Sequence, residues 1–164
     1  MSLQSGGASC APAMDAKRPT PIVRDAHALL VRGIEELERN HVEEAVGLLR
    51  QSAELQPDSF YAHLALGVAL TRALRISEAE QALETAIRLE PASFWAHLRM
   101  AQLYQRIGVI TRAEQELQIA LDVAESSEER KIARDLLDAE RRRDARRVWR
   151  PDFARLWPWK RRER

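Results

Sequence analysis

Through the middle of the chain, apolar residues return three and four positions apart, and polar residues fill the gaps. Leu66 and Leu70 form one such face, Ala79, Leu83 and Ala86 a second, Met100 and Tyr104 a third, and Ala113, Leu117 and Ala120 a fourth. This spacing puts one apolar stripe on each of a series of helices. In one unit the pattern predicts a helix from Phe60 to Leu74 and another from Ser77 to Leu89, stopped by Pro91. Ser77 followed by Glu80, Thr111 by Glu114, and Ser126 by Glu129 have the Ser/Thr-x-x-Glu spacing of a capping box, which predicts a helix start at each.

The faces repeat. Pro57-Asp58-Ser59-Phe60-Tyr61-Ala62-His63-Leu64 returns further on as Pro91-Ala92-Ser93-Phe94-Trp95-Ala96-His97-Leu98, with six of eight positions identical. The offset from Pro57 to Pro91 also relates Gly33 to Gly67, Ala45 to Ala79 and Ala113, and Leu49 to Leu83 and Leu117. A fixed period of this length marks a stack of supersecondary units rather than one globular core. Small residues (Gly67, Ala101, Ala79, Ala113) alternate with large ones (Leu66, Leu70, Leu83, Met100, Tyr104, Leu117), which lets antiparallel helices interlock.

On these residues the chain resembles the tetratricopeptide repeat family. Leu66-Gly67, Leu70, Ala79, Leu83, Ala86 and Pro91 follow the family pattern in one unit. Met100-Ala101, Tyr104, Ala113, Leu117 and Ala120 follow it in the next, with Glu125 in place of the closing proline. An earlier unit keeps Gly33, Ala45, Leu49 and Pro57 but has Arg32 and Glu36 at expected apolar positions. Its apolar face, Leu30, Ile34 and Leu37, points to a first helix rotated or shifted by about one residue. The expected fold is therefore all-α: a right-handed superhelical solenoid of three helix-turn-helix repeats over residues 25–125. A flexible leader precedes it at 1–24, a capping helix follows at 126–147, and an aromatic-basic tail occupies 148–164.

The resemblance also implies a concave surface lined by the first helix of each unit. The matching positions are Tyr61, Leu64, Ala65, Val68, Thr71 and Arg72, then Trp95, Leu98, Arg99, Gln102, Gln105 and Arg106. Leu30, Ile34 and Leu37 are added by the first unit. Some relatives clamp a peptide carboxylate with Lys and Asn at these places. Leu64, Val68 and Leu98 stand there instead, so the expected groove is apolar and takes an apolar partner segment, with Arg99 and Arg106 on its rim. A small chaperone for a secreted hydrophobic client is the alternative use of such a groove.

Charge adds a second feature. Residues 1–140 carry 15 Lys/Arg against 22 Asp/Glu, a net of −7, whereas 141–164 carry 11 against 3, a net of +8. The tail holds three of the chain's four tryptophans, interleaved with cations: Trp149, Arg150, Phe153, Arg155, Trp157, Trp159, Lys160, Arg161 and Arg162. Tryptophan and arginine anchor protein interfaces, settle at the bilayer interface beside anionic lipid, and stack on single-stranded nucleic acid. A protein partner, including a membrane protein complex, and an anionic membrane surface both fit, as does docking onto the chain's own acidic body. That body would repel a polyanion, which disfavours nucleic acid.

Chemistry is sparse. The single cysteine, Cys10, allows no intrachain disulfide. There is no phosphate loop, nucleophile elbow, Cys/His pair or zinc-protease motif. His63 and His97 occupy the same repeat position without the further ligands a metal site needs. The expectation is a protein-binding chain that is not an enzyme, with no cofactor and no metal. No signal peptide or apolar run near the ~18 residues of a membrane span is visible. The expected location is cytoplasmic, or peripheral at the cytoplasmic face of a membrane.

Overall fold

A computed structural model describes residues 21–147. Seven helices follow one another: α1 (Pro21–Glu38), α2 (Val42–Leu55), α3 (Phe60–Arg72), α4 (Ile76–Leu89), α5 (Phe94–Ile107), α6 (Ile110–Val123) and α7 (Ser127–Arg147). Turns of a few residues reverse the chain each time, so odd-numbered helices run one way and even-numbered helices the other. The helices pack as hairpins, α1 on α2, α3 on α4 and α5 on α6, and each hairpin stacks on the next. One apolar cluster runs from Leu37 and Leu49 through Leu70 and Leu83 to Leu103 and Tyr104. A second joins Phe94 and Leu98 to Leu117, Ala133 and Leu137, sealing the last hairpin under α7. α1 starts at Pro21, inside the stretch expected to be leader; proline suits a first helical position, whose N–H has no intrahelical partner.

Within each hairpin the helices approach through a small residue. A Cβ on Gly33 would stand 2.6 Å from Leu49 Cγ, and one on Gly67 would stand 2.6 Å from Leu83 Cγ. The identical contact shows that the first hairpin keeps the register of the second. The predicted shift of α1 holds in part: Leu37 is buried and Leu30 packs against the core, but Ile34 is exposed. Glu36 keeps the place that Leu70 fills one repeat on. Its carboxylate accepts from His41 Nδ1 at 2.7 Å and pairs with Arg39, and chiefly the histidine contact holds it below the usual carboxylate range.

The turns inside the hairpins share one geometry. The N–H groups of His41, Arg75 and Val109 donate to the carbonyls of Glu36, Leu70 and Tyr104, at 2.8, 3.0 and 2.9 Å. This is a Schellman closure, with a left-handed residue just past the helix end. Asn40 (φ 64°), Leu74 (φ 61°) and Gly108 (φ 77°) take that place, one in each repeat. The closure also sets where the next helix begins. α4 starts at Ile76 and α6 at Ile110, so the capping boxes predicted at Ser77 and Thr111 do not form; both residues already lie inside their helices. The third box does form: Ser126 Oγ accepts from the Glu129 N–H at 3.1 Å, and Glu129 accepts in return from the Ser126 N–H at 3.3 Å.

Leucine is out of place at a left-handed position, where Cβ crowds the following carbonyl. Leu74→Gly removes that strain, and the side chain lost is 63% exposed. We expect a gain of about 0.5–1 kcal/mol in urea unfolding after the entropy of glycine is subtracted. A loss of stability would show that Leu74 packs against something in the folded chain.

Candidate binding groove

α1, α3 and α5 lie side by side and form one wall of the stack. The repeated Pro-x-Ser-Phe motif positions this wall. Ser59 caps α3 by accepting from the Ala62 N–H at 3.4 Å. The adjacent aromatics then divide the work. Phe60 and Phe94 are buried, and each meets its neighbour edge-on at 5.2 Å, leaving Tyr61 68% and Trp95 44% exposed. The two repeated histidines tie the turns to the helices. His63 Nε2 donates to the Pro57 carbonyl at 2.8 Å, and His97 Nε2 to the Pro91 carbonyl at 3.0 Å.

His97 does more. Buried between α5 and α6, its Nδ1 lies 2.8 Å from a Glu116 carboxylate oxygen, so both ring nitrogens face acceptors. The hydrogen bond to Glu116 outweighs burial and raises the histidine pKa. A raised folded-state pKa gives stability that is complete below the unfolded value of about 6.5 and is lost as pH rises through the higher folded value. The stability advantage of the natural protein over His97→Gln should therefore shrink in denaturant titrations as pH rises above about 6.5 and through the raised folded-state value. An advantage that stayed flat or grew with pH would mean that the ring is neutral throughout.

The wall itself carries a cavity of about 400 Å³ lined by Val68, Thr71, Arg72, Arg99, Gln102, Gln105 and Arg106. All seven stand at groove positions read from the sequence. The sequence led to an apolar groove with Arg99 and Arg106 on its rim; this cavity is mixed, with Val68 beside Thr71, Gln102, Gln105 and the three arginines. Leu98 is also corrected: it is 3% exposed and packs with Phe94, Ala101 and Leu117, so it cannot touch a ligand. Leu64 is half-buried against the core, while Tyr61 and Trp95 stand exposed outside the cavity. On α1 the exposed apolar residues are Val31 and Ile34. Val31 was missed by sequence reasoning, although it stands one repeat period before Ala65. The tail candidates from Trp149 to Arg162 lie outside the described residues.

Three guanidiniums meet at the cavity without a carboxylate in ion-pair range among the described residues. Arg72 Nη1 donates to the Leu37 carbonyl at the end of α1, at 2.8 Å, and Arg99 Nη1 donates to Gln102 Oε1, also at 2.8 Å. Burial first, and the neighbouring charge of Arg72 second, push the Arg99 pKa down. This cation is thus poorly solvated and has no acidic partner among the described residues, a setting that favours an anionic ligand. Elsewhere, the half-buried Glu36 and the exposed His41 and Glu44 have ligand atoms within 4.8 Å of one another, but Arg39 and His41 already occupy the Glu36 carboxylate. Among the described residues no helix is long and apolar enough to cross a membrane.

No family model and no curated protein matches the chain. Solved structures do. The first tetratricopeptide domain of Spaghetti (RPAP3) bound to the HSP90 peptide SRMEEVD is 16% identical, covers 75% of this chain and 95% of its own, and superposes with a TM-score of 0.67. The Yersinia enterocolitica type III secretion chaperone SycD, in complex with a peptide of the translocator YopD, gives 15% identity, 72% and 93% coverage and a TM-score of 0.65. The TPR2B domain of yeast Sti1 in its pHsp70 complex gives 18% identity, 73% and 98% coverage and a TM-score of 0.66. At these identities the likeness speaks for architecture, and with the fixed sequence period and the small-on-large helix contacts it assigns this chain the fold of the tetratricopeptide repeat domains.

Proposed function

We propose that this protein is a non-enzymatic interaction scaffold whose concave wall holds an extended segment of a partner protein, with acidic residues of that segment in the arginine cavity and apolar ones along α1 and α3. The uncompensated cluster of Arg72, Arg99 and Arg106 is the observation that carries this reading. Val68 inside the cavity and the exposed Val31 and Ile34 beyond it supply the apolar track. The Spaghetti (RPAP3) domain supports the pattern by analogy, since the peptide on it, SRMEEVD, combines adjacent acids with a valine and a methionine. The aromatic-basic tail from Trp149 to Arg162 then serves as a second anchor, on a membrane protein complex or an anionic membrane at the cytoplasmic face. Titrating the full chain into labelled peptides of mixed acidic and apolar composition tests the groove. Acidic peptides should bind more tightly than their lysine-substituted counterparts, and added salt should weaken them. Equal affinity for both charge types would remove the reading.

A second reading keeps one observation of its own, the likeness to SycD with its translocator peptide. In it the chain is a chaperone shielding an apolar client segment before secretion. The same titration separates the two: a chaperone groove would prefer apolar peptides regardless of their charge.

A further inference from the structure

The turns inside the hairpins all lie at one edge of the stack, where the odd-numbered helices end. This edge exposes Leu74 (63%), Ile107 (41%) and Val109 (37%) at consecutive turns. Leu74 is the least economical of them. Its equivalents are Asn40 and Gly108, residue types that commonly adopt the left-handed conformation, whereas leucine is strained there and also leaves its apolar side chain in water. Strain and exposure at one residue, with no return inside the fold, point to a contact outside it.

The surroundings of these tips define that contact. Arg72 and Arg106, which also line the cavity, and Arg112, which reaches Glu80, are exposed around them. Glu78 and Glu80, the nearby acids of α4, are already engaged by Arg50 and Arg75 and by Tyr104 and Arg112. The acids of the first hairpin, Glu36, Glu38, Glu43 and Glu44, limit the basic patch to the second and third hairpins and α7. α7 runs in the same direction as α3 and α5 but has 21 residues against 13 and 14. At 1.5 Å per residue its end passes the edge by about 10 Å. This extension reads Arg141-Arg142-Arg143-Asp144-Ala145-Arg146-Arg147. Apolar tips, exposed arginines and the arginine-rich end of α7 therefore coincide at one edge, while the rest of the body is acidic.

We infer that this edge is the surface by which the protein lies on an anionic lipid bilayer, with Leu74, Ile107 and Val109 entering the headgroup–acyl boundary and Arg72, Arg106 and Arg112 meeting lipid phosphates. Shallow insertion of apolar side chains beside cations is how non-spanning proteins hold to such surfaces, the cations adding attraction near an anionic leaflet. The inference deepens the peripheral reading of the tail and rests on it only in sharing a membrane. It assigns body residues that the tail reading does not need.

The test uses full-length protein with Cys10→Ser and one new cysteine carrying an environment-sensitive dye, at Leu74→Cys, at Ile107→Cys, or at Asp58→Cys on the opposite edge. With phosphatidylcholine vesicles containing phosphatidylserine, the dyes at 74 and 107 should shift to the blue and the dye at 58 should not. Pure phosphatidylcholine should give little shift at any position. In vesicle co-sedimentation, unlabelled Leu74→Asn/Ile107→Ser/Val109→Ser protein should partition about tenfold less than the natural chain. Dyes at 74 and 107 that stay in water while the protein sediments with vesicles would overturn the edge and leave the tail as sole anchor; Trp157→Ser/Trp159→Ser should then abolish sedimentation. No sedimentation of the natural protein would overturn both, and an equal shift at 58 would mean non-specific adsorption and overturn the edge. Peptide titration of the same variants reports separately on the groove.

Discussion

Leu83→Ala should destabilise the protein by about 3–4 kcal/mol, and a second substitution that harms the natural protein should then help it. Leu83 is fully buried and its Cγ and Cδ2 fill the space in front of Gly67, where an added Cβ would stand 2.6 Å from each. In the natural protein, Gly67→Ala therefore forces a buried leucine against its neighbours, at a cost of about 1–3 kcal/mol that exceeds the ~1 kcal/mol which alanine gains over glycine in a helix. With Leu83 truncated, the clashing atoms are gone and the new methyl enters the cavity. Gly67→Ala should then stabilise by about 1 kcal/mol or more, a reversal of sign that urea unfolding of the four proteins would read directly. Independent effects of the two substitutions would mean that the helices are not held at the distance set by this contact. The third hairpin shows another solution to the same approach, with Ala101 and Leu117 both fully buried.

That contact also explains why so much of the fold was legible. A glycine or alanine facing a leucine, recurring at one fixed period, is a long-range pattern written into the chain, and it located the hairpins, their stacking and the buried rows. Local signals did less well. Ser-x-x-Glu marked the start of α7, but at α4 and α6 the Ser/Thr-x-x-Glu signal lost to the left-handed closure of the preceding helix, which sets an earlier start. Arg32 and Glu36 suggested a rotated α1 facing inward with Leu30, Ile34 and Leu37, of which Ile34 is exposed. The tertiary contact of Gly33 with Leu49 held the helix in register, and Glu36 was accommodated by His41 and Arg39. The groove was legible by position and not by character. Counting Leu64, Val68 and Leu98 made it apolar, yet Leu98 turns inward, while arginines from two different helices converge only once α3 and α5 pack.

The convergence has an energetic signature that separates binding from stability. Arg99 is partly buried, lies near Arg72, and has Gln102 as its hydrogen-bonding partner. Replacing it with methionine keeps much of the apolar stem and removes a cation that the free protein must hold at a cost. We expect Arg99→Met to raise the thermal midpoint of the free protein, and to do so more at low salt, where repulsion from Arg72 is least screened. The same substitution should weaken an acidic peptide by about 30-fold or more, since a desolvated charge-assisted pair lost from one side costs about 2–5 kcal/mol. Arg106→Met, at an exposed position, should lose less affinity and leave stability almost unchanged. Opposite signs for stability and affinity at Arg99 would mark it as a residue kept for its ligand. If Arg99→Met lowered both together, the guanidinium would be a structural group satisfied by Gln102, and the cavity would lose its standing as an anion site.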